Sequence, residues 1–151
     1  MSKAATIRQD TGKFRAALKA NPKDFDGLVG MAGLEASMGN TDAAATYVNT
    51  AAPLVTKPRQ GKLLDAYNAV GDGYQNGGKV DQAIPYFKRA IVAGFDTQTA
   101  YARISIAACY AQSNRLAEAK PYAEAILKMS NPPKEYADQA KMMLDMIKKS
   151  K

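Results

Sequence analysis

Tyr74 to Tyr86 reads YQNGGKVDQAIPY, and Tyr110 to Tyr122 reads YAQSNRLAEAKPY. At an offset of 36 residues, Tyr74 falls on Tyr110, Val80 on Leu116, Ala83 on Ala119, Pro85 on Pro121 and Tyr86 on Tyr122. A weaker copy, EASMGNTDAAATY, lies 39 residues upstream of the first, with Gly39 opposite Gly78, Ala44 opposite Ala83 and Tyr47 opposite Tyr86. A period of this length predicts supersecondary units that bury their apolar faces by stacking on one another.

Each unit reads as two helices. In the middle copy Leu64, Tyr67, Val70, Gly71 and Tyr74 recur at helical spacing, and Gly77-Gly78 ends the run. Ala83, Phe87, Ala90 and Ile91 form a second stripe that Gly94 closes. Pro85 and Pro121 sit early in their helices, where a missing N–H costs least. Extending outward predicts eight helices, at about 3–20, 25–38, 41–54, 59–76, 80–93, 98–112, 115–129 and 134–149. The longer connection around Pro53 to Pro58 accounts for the offset of 39.

Composition agrees with a helical chain and narrows the chemistry. Of the 151 residues 46% are hydrophobic and 23% charged, enough for one packed domain. Alanine occurs 28 times and tryptophan is absent, which favours closely packed helices over a sheet sandwich. Histidine is also absent, which excludes His-based triads and His metal ligands. The single Cys109 can close no internal disulfide and build no thiolate cage. No catalytic residue, metal or cofactor is expected. The N-terminus carries charge throughout and has no apolar signal core, and the longest uncharged stretch, Ala43 to Thr56, is too short to span a bilayer. A cytoplasmic location is the expectation.

These features resemble the tetratricopeptide repeat family, whose units carry an aromatic, a Leu-Gly-like pair, a Tyr, and then small, large and small residues. The middle copy supplies Tyr67, Val70-Gly71, Tyr74, Ala83, Phe87 and Ala90. The third supplies Ile106-Ala107, Tyr110 and Ala119, with Arg103 in the aromatic place and Ala123 in the large one. The first keeps Leu28, Met31-Ala32, Gly39, Ala44 and Ala51, with Glu35 in the Tyr place. The resemblance covers roughly residues 10 to 131. It implies one all-α domain over 1–151, a short right-handed superhelix (α-solenoid) of antiparallel helix pairs. The parts would be an N-terminal helix at 1–23, repeats at 24–56, 60–96 and 97–131, and a capping helix at 133–151.

The same resemblance implies a concave groove lined by the first helix of each unit. Its wall would be Asp26, Val29, Gly33 and Ser37, then Asp65, Asn68, Asp72, Gln75 and Asn76, then Tyr101, Ile104, Ala108 and Gln112. Such grooves take an extended peptide or a helix, with Asn and Gln bonding its backbone. The family's clamp for an acidic chaperone tail uses Lys, Asn and Arg, and this chain departs from it at Val29, Gly33, Tyr101 and Ser105. The second helices would carry a basic surface of Lys88, Arg89, Lys120 and Lys128.

Net charge is +7 and unevenly spread, at +5 over residues 1–23, −4 over 24–56 and +6 beyond. The expected role is a non-enzymatic adaptor or scaffold binding a peptide, a helix or a filament surface of a partner protein. Within the family, a short bacterial kinesin-light-chain-like protein on an acidic, tubulin-like filament of the cytoskeleton fits the size and charge, though the repeat pattern does not select it. One alternative is homo-oligomerisation, with the terminal helix of one chain in the groove of the next. A remoter one is nucleic-acid binding, disfavoured because Lys outnumbers Arg 15 to 6 and the tyrosines sit at repeat positions. No small-molecule substrate and no membrane span are expected. Gly73 to Lys79 matches the front of a phosphate-binding loop, but a helix precedes it and Val80 stands where a hydroxyl is needed. The cluster of Met142, Met143, Met146 and Ile147 reads first as a packed capping helix.

Overall fold

The computed structural model describes residues 3–150. Eight α-helices organise them: α1 Lys3–Ala20, α2 Phe25–Ser37, α3 Thr41–Ala51, α4 Gln60–Asn76, α5 Val80–Ala93, α6 Ala100–Gln112, α7 Leu116–Leu127 and α8 Lys134–Lys149. No strand occurs among the described residues. The chain divides into two compact units, one ending at Gly73 and the other beginning at Tyr74. In the first, α1 packs on α2 and α2 on α3. In the second, α5 packs on α6, α6 on α7 and α7 on α8, and α8 also reaches back to α6. Within each unit these packed neighbours cover one another's apolar stripes, as paired helices do.

The repeat recurs atom for atom in the turns between helices. Gly39 and Gly78 have φ of 84° and 77°, the left-handed region where a Cβ is costly, and Asn114 takes the same place with φ 60°. In all three turns the next amide bonds back to the carbonyl five residues earlier: Asn40 N to Glu35 O at 2.8 Å, Lys79 N to Tyr74 O at 2.8 Å, and Arg115 N to Tyr110 O at 2.7 Å. These bonds satisfy carbonyls that a helix end leaves open. Glu35 occupies the tyrosine place of the first copy and is buried, its carboxylate accepting from Asn40 Nδ2 at 2.9 Å.

Small side chains set how closely the helices approach. Ala44, Ala83, Ala90, Ala107, Ala119 and Ala123 are fully buried, beside the fully buried Met31, Val48, Phe87, Ile106 and Ile126. Cys109 is fully buried too, a small core residue. Pro85 and Pro121 lie inside α5 and α7, and both helices continue through them.

Boundaries shift by more than one residue in three places. α3 stops at Ala51, and Pro53 lies in a short 3-10 turn, Ala52–Leu54. Another such turn, Asp96–Thr99, delays α6 to Ala100. α7 is shorter at both ends than 115–129. Residues 73–76 of the phosphate-loop look-alike are the last turn of α4, and a Cβ on Gly73 would meet Thr41 Oγ1 at 2.6 Å. That glycine answers a close approach at α3, not a phosphate.

Candidate functional site

The first unit contains an open cleft of about 550 Å³ between α1, α2 and α4. Asp24 starts α2 by accepting Gly27 N–H on Oδ2 at 2.8 Å, which fixes where that helix begins. From there α2 presents Gly27, Val29, Gly30 and Gly33 to the cleft, α1 presents Lys13, Phe14 and Ala17, and α4 presents Lys62, Asp65 and Ala66. Two glycines shape the floor. A Cβ on Gly30 would stand 2.5 Å from Phe14 Cζ, so the bare backbone there is what lets the ring lie on α2. A Cβ on Gly33 would meet nothing within 4 Å, so this position opens onto free space.

The rim is charged and partly neutralised. Asp26 is bridged by Lys62 Nζ at 3.0 Å and by Arg59 Nη1 at 3.4 Å. Lys13 lies 5.9 Å from the Phe14 ring centroid, and Asp65 is exposed. An apolar floor of glycine, alanine, valine and phenylalanine edged by opposite charges can seat an apolar side chain and orient the polar groups beside it.

Asp26, Val29 and Asp65, three of the expected groove residues, thus meet in one cleft together with Gly33. Asn68 is 9% exposed, and its Oδ1 is buried without a hydrogen-bond partner. Asp72 is half-buried and Asn76 is exposed at the end of α4. Gln75 Nε2 donates to Gln112 Oε1 at 3.0 Å, joining two expected groove residues of the second unit.

The third copy departs from expectation. Ile104 is only 5% exposed and belongs to a core with Ala123, Ile126 and Ala140, flanked by Tyr136, Met143 and Leu144. Tyr101 is half-buried, edge-on to Phe87 at 6.4 Å and to Tyr136 at 5.9 Å. Ile104 is therefore a core residue and no groove wall, because α8 lies across it. Phe14, Gly30 and Lys62 are what the sequence reading missed. Gly30 and Gly33 share a face of α2 by their spacing, a signal visible in the sequence, whereas the contact of Phe14 with Gly30 is tertiary.

Lys88, Arg89, Lys120 and Lys128 are all exposed. Arg89 stacks on Tyr86, with its guanidinium carbon 4.8 Å from the ring centroid. Slight burial pulls Lys88 down, but electrostatic attraction and hydrogen bonds from the Tyr122 and Tyr110 side-chain oxygens outweigh it and leave the ammonium above its ordinary 10.5. Arg115, held by Glu118 at 2.7 Å and Asp81 at 2.9 Å, stacks on Tyr110 at 4.8 Å.

Among the described residues no helix is long and apolar enough to cross a membrane. No curated protein matches the chain significantly. A family model described as tetratricopeptide repeat matches residues 69–135, which hold Tyr74, Tyr86, Tyr110 and Tyr122. Repeats of this kind generally mediate protein–protein interaction. Over residues 69–135 the chain is similar to the tetratricopeptide repeat family.

Proposed function

We propose that the chain is a non-enzymatic, cytoplasmic adaptor that captures a short helical or extended segment of a partner protein in the first-unit cleft. The observation that carries this reading is the open space above Gly33, floored by Phe14, Ala17, Val29 and Ala66 and rimmed by Lys13, Lys62, Asp26 and Asp65. The segment that fits has one large apolar anchor for the floor and a basic group facing Asp65. Peptide display on the wild-type chain, counter-selected on Gly33→Phe, tests it. Enriched peptides should bind wild type and lose at least tenfold in affinity for the variant. Equal binding to both rejects the cleft as the site.

A second reading has its own support, the exposed cations Lys88, Arg89, Lys120 and Lys128. Arg89 and Lys88 are held in place by tyrosines, which lowers the entropy lost when they meet an acidic surface, such as a tubulin-like filament. Co-sedimentation with such filaments at low and high salt tests it, and binding indifferent to salt counts against it. Homo-oligomerisation by insertion of a terminal helix into the cleft is separable from both, because Gly33→Phe would then change the mass of the chain in solution.

A further inference from the structure

The methionine cluster of α8 splits in two. Met143 packs with Tyr136 and Leu144 against the core that contains Ile104, and Ile147 is 5% exposed. Met142 and Met146, one turn apart, point the other way and are 71% and 50% exposed. Large apolar side chains this open, in line on one helix face, mark a contact surface.

Beside that stripe runs a row of exposed charges, Asp138, Lys141, Asp145 and Lys148. Their separations are three, four and three residues, so the row keeps to one side of the helix. The spacing is the same read from either end, and reversal exchanges every sign. An antiparallel copy of α8 therefore meets this row with Lys148 opposite Asp138 and Asp145 opposite Lys141, each pair formed twice about a two-fold axis. In that register the four methionines of the two copies interleave at steps of about 3 Å along the seam. A parallel copy would set Asp against Asp and Lys against Lys.

We propose that the exposed face of α8 is an isologous interface that pairs two copies of this chain antiparallel. Its occupant is a second copy because the charge row is complementary to itself. Asp138 pairs with Lys134 within the chain at 3.0 Å, and this exposed bond is exchanged at little cost for Lys148 of the second copy. The patch is small, so the pair is weak and reversible. The proposal rests on no part of the cleft reading.

Sedimentation equilibrium from about 10 μM to about 500 μM at low salt tests it, with circular dichroism verifying that every variant keeps its helicity. The wild-type chain should dimerise. Met146→Glu should abolish the dimer, and Asp138→Lys or Lys148→Asp should each weaken it about tenfold, since each creates two like-charge oppositions. An equimolar mixture of the two charge variants should recover wild-type association. At one end the lysine introduced in the first variant then faces the aspartate introduced in the second. At the other end the unchanged Lys148 of the first faces the unchanged Asp138 of the second. A wild-type chain that stays monomeric to the highest concentration overturns the proposal. So does a dimer that Met146→Glu leaves intact, or a mixture that associates no better than its components.

Discussion

Tyr122 lies against Tyr110 with ring centroids 6.0 Å apart and planes inclined at 39°. Tyr86 lies against Tyr74 at 5.8 Å and 34°, so the contact recurs after 36 residues with almost the same geometry. The offset of 36 residues is a period of the fold as well as of the letters.

Tyr110 joins three contacts, as it also carries Arg115 over its face and bonds Lys88. Tyr110→Ala should destabilise the second unit by about 3 kcal/mol, from lost burial and ring contact. Tyr110→Phe keeps the ring and should cost about 1 kcal/mol. Urea titration of the two variants beside wild type checks the order, and equal losses would place the stabilisation in the hydroxyl alone.

Gly33 separates binding from stability. It lies inside α2 with free space where a Cβ would go, so Gly33→Ala should stabilise the chain by up to about 1 kcal/mol through helix propensity. Gly33→Phe should leave the thermal midpoint near wild type and fill the cleft. A drop in midpoint for Gly33→Ala would mean the position is more crowded than its surroundings indicate.

Ile104→Ala should cost about 2–4 kcal/mol, the loss of a buried aliphatic side chain beneath α8. The affinity of a cleft-bound peptide should not change. A stable variant with weakened peptide binding would return Ile104 to the groove. Chemical denaturation and fluorescence anisotropy on one preparation give both quantities.

The sign of the Lys88 effect fixes a pH window. Its folded value is raised above 10.5, so its stabilisation is complete below the unfolded value and is lost as pH rises through the higher folded one. The stability gap between wild type and Lys88→Met should hold level through neutral and mildly alkaline pH and close only at strongly alkaline pH. A gap that closes on acidification would contradict this. Denaturant midpoints of both proteins across that range decide.

What was legible in the sequence was local. The helices follow from apolar spacing and from turn residues at Gly39, Gly78 and Asn114, each of which acts within a few residues of itself. Shifts came where a proline or a 3-10 turn altered a helix end, as at Pro53 and at Asp96–Thr99. Tertiary contacts were hidden. Nothing in the residues around Ile104 tells which later helix will cover it, and Tyr136 and Met143 do so from more than 30 residues away. The cleft was half visible: Asp26, Val29, Gly33 and Asp65 were expected, whereas Phe14 and Gly30 meet only once α1 folds onto α2. The outward and inward methionines of α8 become separable once its packed face is known.

Capture of the partner in the first-unit cleft is tested most directly by amide chemical-shift mapping with a display-selected peptide. Saturable shifts are expected at Val29, Gly30, Gly33, Asp65 and Ala66, with Lys88, Arg89, Lys120 and Lys128 unmoved. Shifts confined to those four basic residues, with the cleft amides silent, would refute capture there.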